Sequence, residues 1–355
     1  MPHSFRCSSL AVIPLACALV ATLSAAPAHA QSIPADAELQ QQVASIAASH
    51  HGKVGVYAIQ LNSGRTVAYR PDDPSPTASV IKLAVLYEAM QQVRAGKVSW
   101  NDKITLPKGE AVSGSGILTF FDAPLNLTFK DVLTFMIIVS DNTATNLAID
   151  HIGIDNINAR ITWLGLHNTY LYKKVMKPPT GPVPADQPKF GLGKTTPREM
   201  AIIMEHIGRC DLATPAHSTQ PISPSDQAIC SVALNMLRNQ FYRDSIPRYI
   251  ETLDSSETGS AIANKTGGIN AARNDVAIVA GKTGPMIISI FTYDNQDQTW
   301  TPDVEGELTI ARIARTIVTN WSPNGLDGKT LVPGLGISPS LTSEVTPAAA
   351  SASKK

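Results

Sequence analysis

The sequence predicts an α+β protein: one antiparallel sheet made from both chain ends, with flanking helices and a mainly helical subdomain between them. Three observations carry that prediction. Two strand patterns joined by a glycine-containing turn come early, a long stretch of helical spacing follows, and strand runs return late before a last amphipathic helix.

In order along the chain, 37–50 has helical spacing through Leu39, Val43, Ile46 and Ala47. Val54 to Gln60 then alternates as a half-buried strand, Asn62-Ser63-Gly64 is a turn, and Thr66 to Tyr69 returns. Helical spacing dominates afterwards, over 80–95, 129–138, 142–151 and 196–207. Apolar runs at 261–265, 275–279 and 286–293 are joined by glycine-rich turns, and 305–319 closes as a helix with Leu308, Ile310, Ile313, Ala314 and Ile317 on one face. This divides the chain into an α/β part at about 31–80 and 215–325 and a helical part at about 81–214, with a cleft between them where a ligand would sit. From Gly334 to Lys355 the composition of Pro, Ser, Thr, Ala and Lys predicts a disordered tail.

The first thirty residues predict an export signal rather than structure. His3 and Arg6 form a polar start, Leu10 to Ala26 is apolar but interrupted by Pro14, and Ala28-His29-Ala30 is a small-x-small cleavage site. The run lacks the length and flanks of a stable membrane span. Cleavage near Ala30 places the mature protein in the periplasm or outside the cell. It also removes Cys7 and Cys17 and leaves Cys210 and Cys230. In an oxidising compartment that even pair predicts a disulfide, worth roughly 3 kcal/mol for a closed loop of about 20 residues.

With 29 Lys+Arg against 29 Asp+Glu the chain has no net charge, and removal of Arg6 with the leader makes it −1. No basic stripe remains for nucleic acid. No CxxC or HxxxH spacing is present, and His50-His51 sits on a polar helix end, so neither a metal nor another cofactor is expected. A monomer acting on a small molecule is the expected state.

Three short motifs carry chemistry. In Ser79-Val80-Ile81-Lys82 a serine and a lysine one helical turn apart can act as nucleophile and proton acceptor, provided the lysine's pKa is lowered by burial or nearby cations. In Ser140-Asp141-Asn142 a second hydroxyl can pass a proton to a leaving nitrogen, while Asn142 offers an amide donor and acceptor; the same tripeptide also suits a helix cap. In Lys265-Thr266-Gly267 a cation and a hydroxyl can bind a carboxylate, and the glycine admits close backbone approach. A second copy, Lys282-Thr283-Gly284, falls at a hairpin tip and is rejected as a site.

Together and in this order the motifs resemble the serine β-lactamase and penicillin-binding protein superfamily, and class A β-lactamases in particular. Stretches at 112–118, 195–200, 245–247 and 273–277 are similar to that family too, so the likeness runs from about Val54 to Trp321. It implies the β-lactamase/transpeptidase-like fold, with Ser79 as acylated nucleophile, Lys82 as its proton partner and Ser140 as proton shuttle. Asn142 would contact the substrate amide, Lys265, Thr266 and Gly267 would bind the substrate with help from Arg273, and the N–H groups of Ser79 and Gly268 would form the oxyanion hole, each donor worth about 10²–10³ in rate.

One family feature is missing. Class A enzymes carry an Ω-loop glutamate that activates the deacylating water, yet 143–194 contains no Glu. Its acids are Asp150, Asp155 and Asp186, and Asp186 alone lies in the proline-rich loop, as a surrogate base or as a solvated side chain. The expectation is therefore a class A-type serine hydrolase opening a β-lactam amide, the alternatives being a D-alanyl peptidase or transpeptidase, or a slowly deacylating β-lactam-binding protein.

Overall fold

The computed structural model describes residues 1–3, 36–218, 220–255 and 260–328. The leader up to Ala30, apart from its first three residues, and the tail from Gly334 lie outside the described residues. The chain divides into residues 1–32 and 33–355, and every element named below belongs to the second unit.

In the first half these are α1 (Ala37–Ala48), β1 (Lys53–Gln60), β2 (Thr66–Tyr69), β3 (Ser75–Pro76), α2 (Lys82–Arg94), β4 (Lys103–Leu106), β5 (Leu125–Thr128), α3 (Phe129–Ile138), α4 (Asn142–Ile152) and α5 (Ile154–Trp163). The second half adds β6 (Tyr170–Leu171), α6 (Gln187–Phe190), β7 (Gly193–Thr195), α7 (Pro197–Arg209), α8 (Pro224–Arg238), β8 (Ile262–Ile269), β9 (Ala272–Gly281), β10 (Gly284–Tyr293) and α9 (Glu305–Trp321).

The main sheet has the order β2-β1-β10-β9-β8 with every pairing antiparallel, so the N-terminal hairpin joins the C-terminal meander through β1 and β10. Both central strands β9 and β10 are buried nearly throughout, because helices cover both faces. α7 lies on one face, where Gly208 meets Ile278 and Ile287. α1 and α9 lie on the other, where Gly306 meets Thr292, a residue five along from Ile287 and thus on the opposite side of the pleat. α7, counted with the helical part above, therefore packs against the sheet.

α3, α4, α5 and α8 pack about α2, which is buried for most of its length. Capping residues set their starts: Thr128 and Asp131 form a reciprocal capping box on α3, Asp141 caps α4, and Ser223 caps α8. Cys210, at the end of α7, is bonded to Cys230 in α8, as expected. The Lys282-Thr283-Gly284 copy sits at the β9–β10 tip, with the Thr283 hydroxyl donating to the carbonyl of Trp321.

Candidate active site

Ser79 lies in a single 3₁₀ turn (Ala78–Ile81) that runs directly into α2, so Ser79 and Lys82 lie together at the helix entrance. β8 presses against that turn. A methyl on Gly267 would lie 2.8 Å from the backbone nitrogens of both Ser79 and Val80, which explains the glycine by strand-to-turn contact rather than by room for substrate.

Lys82 is fully buried, and its Nζ lies 2.7 Å from the carbonyl oxygen of Ser140, 3.0 Å from its Oγ and 3.2 Å from Oδ1 of Asn142. Lys265 approaches from β8 and donates to the same Ser140 Oγ at 3.1 Å and to the Thr266 carbonyl at 2.7 Å. Burial drives the Lys82 pKa well below that of an ordinary lysine, and the neighbouring Lys265 charge adds to it. Burial also lowers Lys265, to about 7, against an opposing pull from Asp275. Two of Lys82's three neighbours can only accept. Its Nζ donates to the Ser140 carbonyl, the Ser140 hydroxyl and Asn142 Oδ1, and the same hydroxyl also accepts from Lys265.

Ser140 and Asn142 are held at the neck of α4 by the 113–118 strap. Asp141 Oδ2 accepts from the N–H groups of Ile117 and Leu118 at 2.6 and 2.8 Å while Oδ1 caps α4 at the N–H of Ala144. The Ser115 hydroxyl donates to the Ser140 carbonyl at 2.7 Å, and Asn142 Nδ2 to the Ser113 carbonyl at 3.0 Å. Ser140 itself has φ 53°, a left-handed conformation that costs a non-glycine residue about 1 kcal/mol or more and is often kept at functional sites. Capping and chemistry are thus divided within one tripeptide: Asp141 caps, and its neighbours face the lysines.

A cavity of about 1050 Å³ opens onto Ser79, Ser140, Asn142, Thr266, Gly267 and Gly268. A smaller cavity of about 360 Å³, bordered by Lys103, Glu110, Asp150, His151 and Lys174, contains none of the three motifs. Both residues expected to supply oxyanion donors thus border the space in which an acyl group would lie.

Two further expectations meet a different arrangement. Arg273 is buried, and its guanidinium donates to the carbonyls of Ile269, Ala272 and Thr299, with Glu307 3.5 Å from Nε. It borders the cavity while donating to the β8–β9 turn and to the Thr299 carbonyl, and its buried Nε has no hydrogen-bond partner among the described residues. Asp186 does not border the cavity: Tyr172 Oη donates to its Oδ1 and Lys194 Nζ to its Oδ2, both at 2.7 Å. Those two hydrogen bonds, Lys194 foremost, hold its carboxyl below the usual aspartate range. The carboxylate ties the neck of the 172–192 loop together.

The loop instead presents Lys173, Val175, Met176, Gly191 and Leu192 to the cavity. Asn146 of α4 fixes Val175 at both backbone groups, donating to its carbonyl at 2.9 Å and accepting from its N–H at 2.8 Å. Sequence reading gave no reason to single out Asn146 or Val175. The only hint was that Asn146 recurs four residues after Asn142, on the same helix face.

A family model described as the beta-lactamase enzyme family matches residues 38–321. The chain belongs to the β-lactamase enzyme family. A β-lactamase of Bacillus licheniformis is 23% identical over 319 residues, which covers 86% of this chain and 90% of that protein. The β-lactamase SME-1 of Serratia marcescens is 23% identical, covering 83% and 92%. Among solved structures, a β-lactamase from Sphaerobacter thermophilus is 27% identical with a TM-score of 0.65, covering 80% of this chain and 97% of that one. PBP-A, at 23% identity, a TM-score of 0.66 and coverage of 82% and 98%, shares the fold. The protein is accordingly a serine hydrolase of class A β-lactamase type, with the antiparallel sheet and flanking helices of that family.

Proposed function

We propose that the protein opens the amide of a β-lactam through an acyl-serine at Ser79. The Ser79 hydroxyl gives its proton to the Lys82 amine as its oxygen attacks the lactam carbonyl, and the N–H groups of Ser79 and Gly268 hold the oxyanion. Ser140 hands a proton to the departing nitrogen and is resupplied from Lys82, while Lys265 and Thr266 hold the substrate carboxylate. The observation that carries this reading is the Lys82–Ser140–Lys265 chain, which buries two lysines against one hydroxyl beside the cavity that also takes in Ser79. Intact-protein mass spectrometry after mixing with a penicillin tests it: the expected result is a mass increase of one whole drug molecule on Ser79.

A second reading, a D-alanyl peptidase or transpeptidase or a β-lactam-binding protein that clears slowly, is favoured by one feature of the same cavity. Its loop side carries no carboxylate, and of the two acids on its border, Asp244 and Glu307, the latter is paired with Arg273. The lifetime of the adduct separates the readings. We further propose that residues 31–325 form the exported catalytic domain, released near Ala30 into the periplasm or medium, where hydrolysis would protect a cell from β-lactams.

A further inference from the structure

The end of α7 and the loop that follows it gather side chains that the serine site does not use. Among the described residues, His206, Asp211 and His217 each bring one ring nitrogen or carboxylate oxygen to within 4.8 Å of the others. None of the three borders the cavity at Ser79. Their spacing of five and six residues matches no short ligand motif, which is why the sequence gave no reason to expect a metal.

Each of these side chains is oriented by a further contact. The His206 ring is buried, and its Nδ1 lies 3.2 Å from the carbonyl oxygen of Asp211. That oxygen can only accept, so the neutral ring carries its proton on Nδ1 and a lone pair on Nε2. Asp211 is buried too, with the N–H of Ser218 donating to its Oδ1 at 3.2 Å. His217 Nε2 lies 3.3 Å from Oε1 of the buried Glu205. Its Nδ1 and Asp211 Oδ2 are 2.9 Å apart and share a proton. A carbonyl or carboxylate on the second nitrogen of an imidazole is the arrangement that orients histidine ligands about a metal.

The base of the loop is fixed as well. Cys210, directly before Asp211, is bonded to Cys230 of α8, and the Tyr87 hydroxyl donates to the Asp211 carbonyl at 2.7 Å. The His217 side chain is 44% exposed, which gives an ion a route from solvent and lets water complete its coordination.

We propose that His206, Asp211 and His217 form a binding site for one divalent transition ion such as zinc, which ties the end of α7 to the disulfide loop. Two imidazoles and a carboxylate suit such an ion, whereas magnesium and calcium take oxygen ligands. As the ion binds, the proton between Asp211 Oδ2 and His217 Nδ1 leaves to solvent, both atoms turn to the metal, and His217 keeps its Nε2–H on Glu205. The site is independent of the acyl-serine reading.

The test titrates the mature protein, stripped with a chelator and dialysed, with zinc chloride by isothermal calorimetry, and follows thermal unfolding in zinc and in magnesium. One zinc per chain is expected, with an unfolding midpoint that rises with zinc concentration and not with magnesium. Glu205→Gln removes only an outer partner and should weaken zinc binding by about 10–100-fold. His217→Gln, on the exposed loop, and Asp211→Asn should each weaken it further. No zinc uptake by folded wild type, or uptake that His217→Gln leaves unchanged while circular dichroism shows both proteins folded, overturns the proposal.

Discussion

The two sides of the cavity are built differently. On the motif side, Ser140, Asn142, Lys82 and Lys265 are buried and joined by hydrogen bonds of 2.7–3.2 Å, with the 113–118 strap locking the tripeptide to its helix. On the loop side, Val175, Met176 and Leu192 present apolar surface, and the loop's one expected carboxylate is turned to its own neck by Tyr172 and Lys194. The first side gathers two buried lysines with lowered pKa values against one hydroxyl, the arrangement on which the proposed acylation rests. Among the described residues, the second brings no carboxylate to the cavity. If the proposed reading holds, formation and clearance of the acyl-enzyme depend on different sides of the cavity and can be altered separately.

Changes on the motif side should have the largest effects. Ser79→Ala should abolish covalent labelling by a penicillin, and an unchanged adduct by mass spectrometry would break the comparison at its root. Lys82→Met removes the proton acceptor without adding charge; the expected fall in acylation rate is about 10²–10⁴-fold, the usual worth of a positioned general base, with the fold retained by circular dichroism.

A change on the loop side should act in the opposite sense. Val175 borders the cavity and its backbone is clamped by Asn146, so a carboxylate placed there would be held over the acyl group by an already fixed main chain. Val175→Glu should hasten decay of the adduct by about 10²-fold, again the scale of a general base, with little change in its formation. Faster formation with unchanged decay would mean that the two sides are not divided as described.

The pH dependence sharpens the motif side further. Burial lowers Lys265 to about 7, so it changes charge around neutrality. Below that pH its ammonium is present to meet a substrate carboxylate, and above it the charge is lost. The second-order acylation rate of the free protein should therefore decline as pH rises through about 7, and Lys265→Arg, which keeps its charge, should flatten that limb.

Much of this was legible in the sequence, for identifiable reasons. α3 and β2 begin and end where periodicity placed them, because a capping box opens one and a hairpin turn precedes the other. The three motifs located Ser79, Lys82, Ser140, Asn142 and Lys265, since their chemistry depends on residue type at short spacing. What escaped was set by tertiary contact. α5 follows α4 after one glycine, and α8 fills the interval up to and beyond Cys230 that periodicity left unassigned, although Ser223 and Asp226 carry its capping signal. Arg273 was read by its charge, and the backbone carbonyls that its guanidinium also meets came together only with folding. Val175, Met176 and Trp300 have no motif, and only folding shows that they border the site.

The smallest effect should come from Asp186, and it bears on the same division. A carboxylate that activates water needs an oxygen facing the acyl group, whereas both oxygens of Asp186 are engaged, one by a phenol and one by an ammonium. Asp186→Asn should therefore leave the decay of the adduct equal to wild type. What it should lose is part of the tie at the loop neck, worth at most about 1 kcal/mol for a pair this exposed. The sign follows from its lowered pKa: the contribution is present above the unfolded aspartate value near 4 and fades as pH falls below it. Wild type and variant should thus converge in thermal stability under acid conditions. Slower decay in the variant would return Asp186 to the cavity and give the loop side a base of its own.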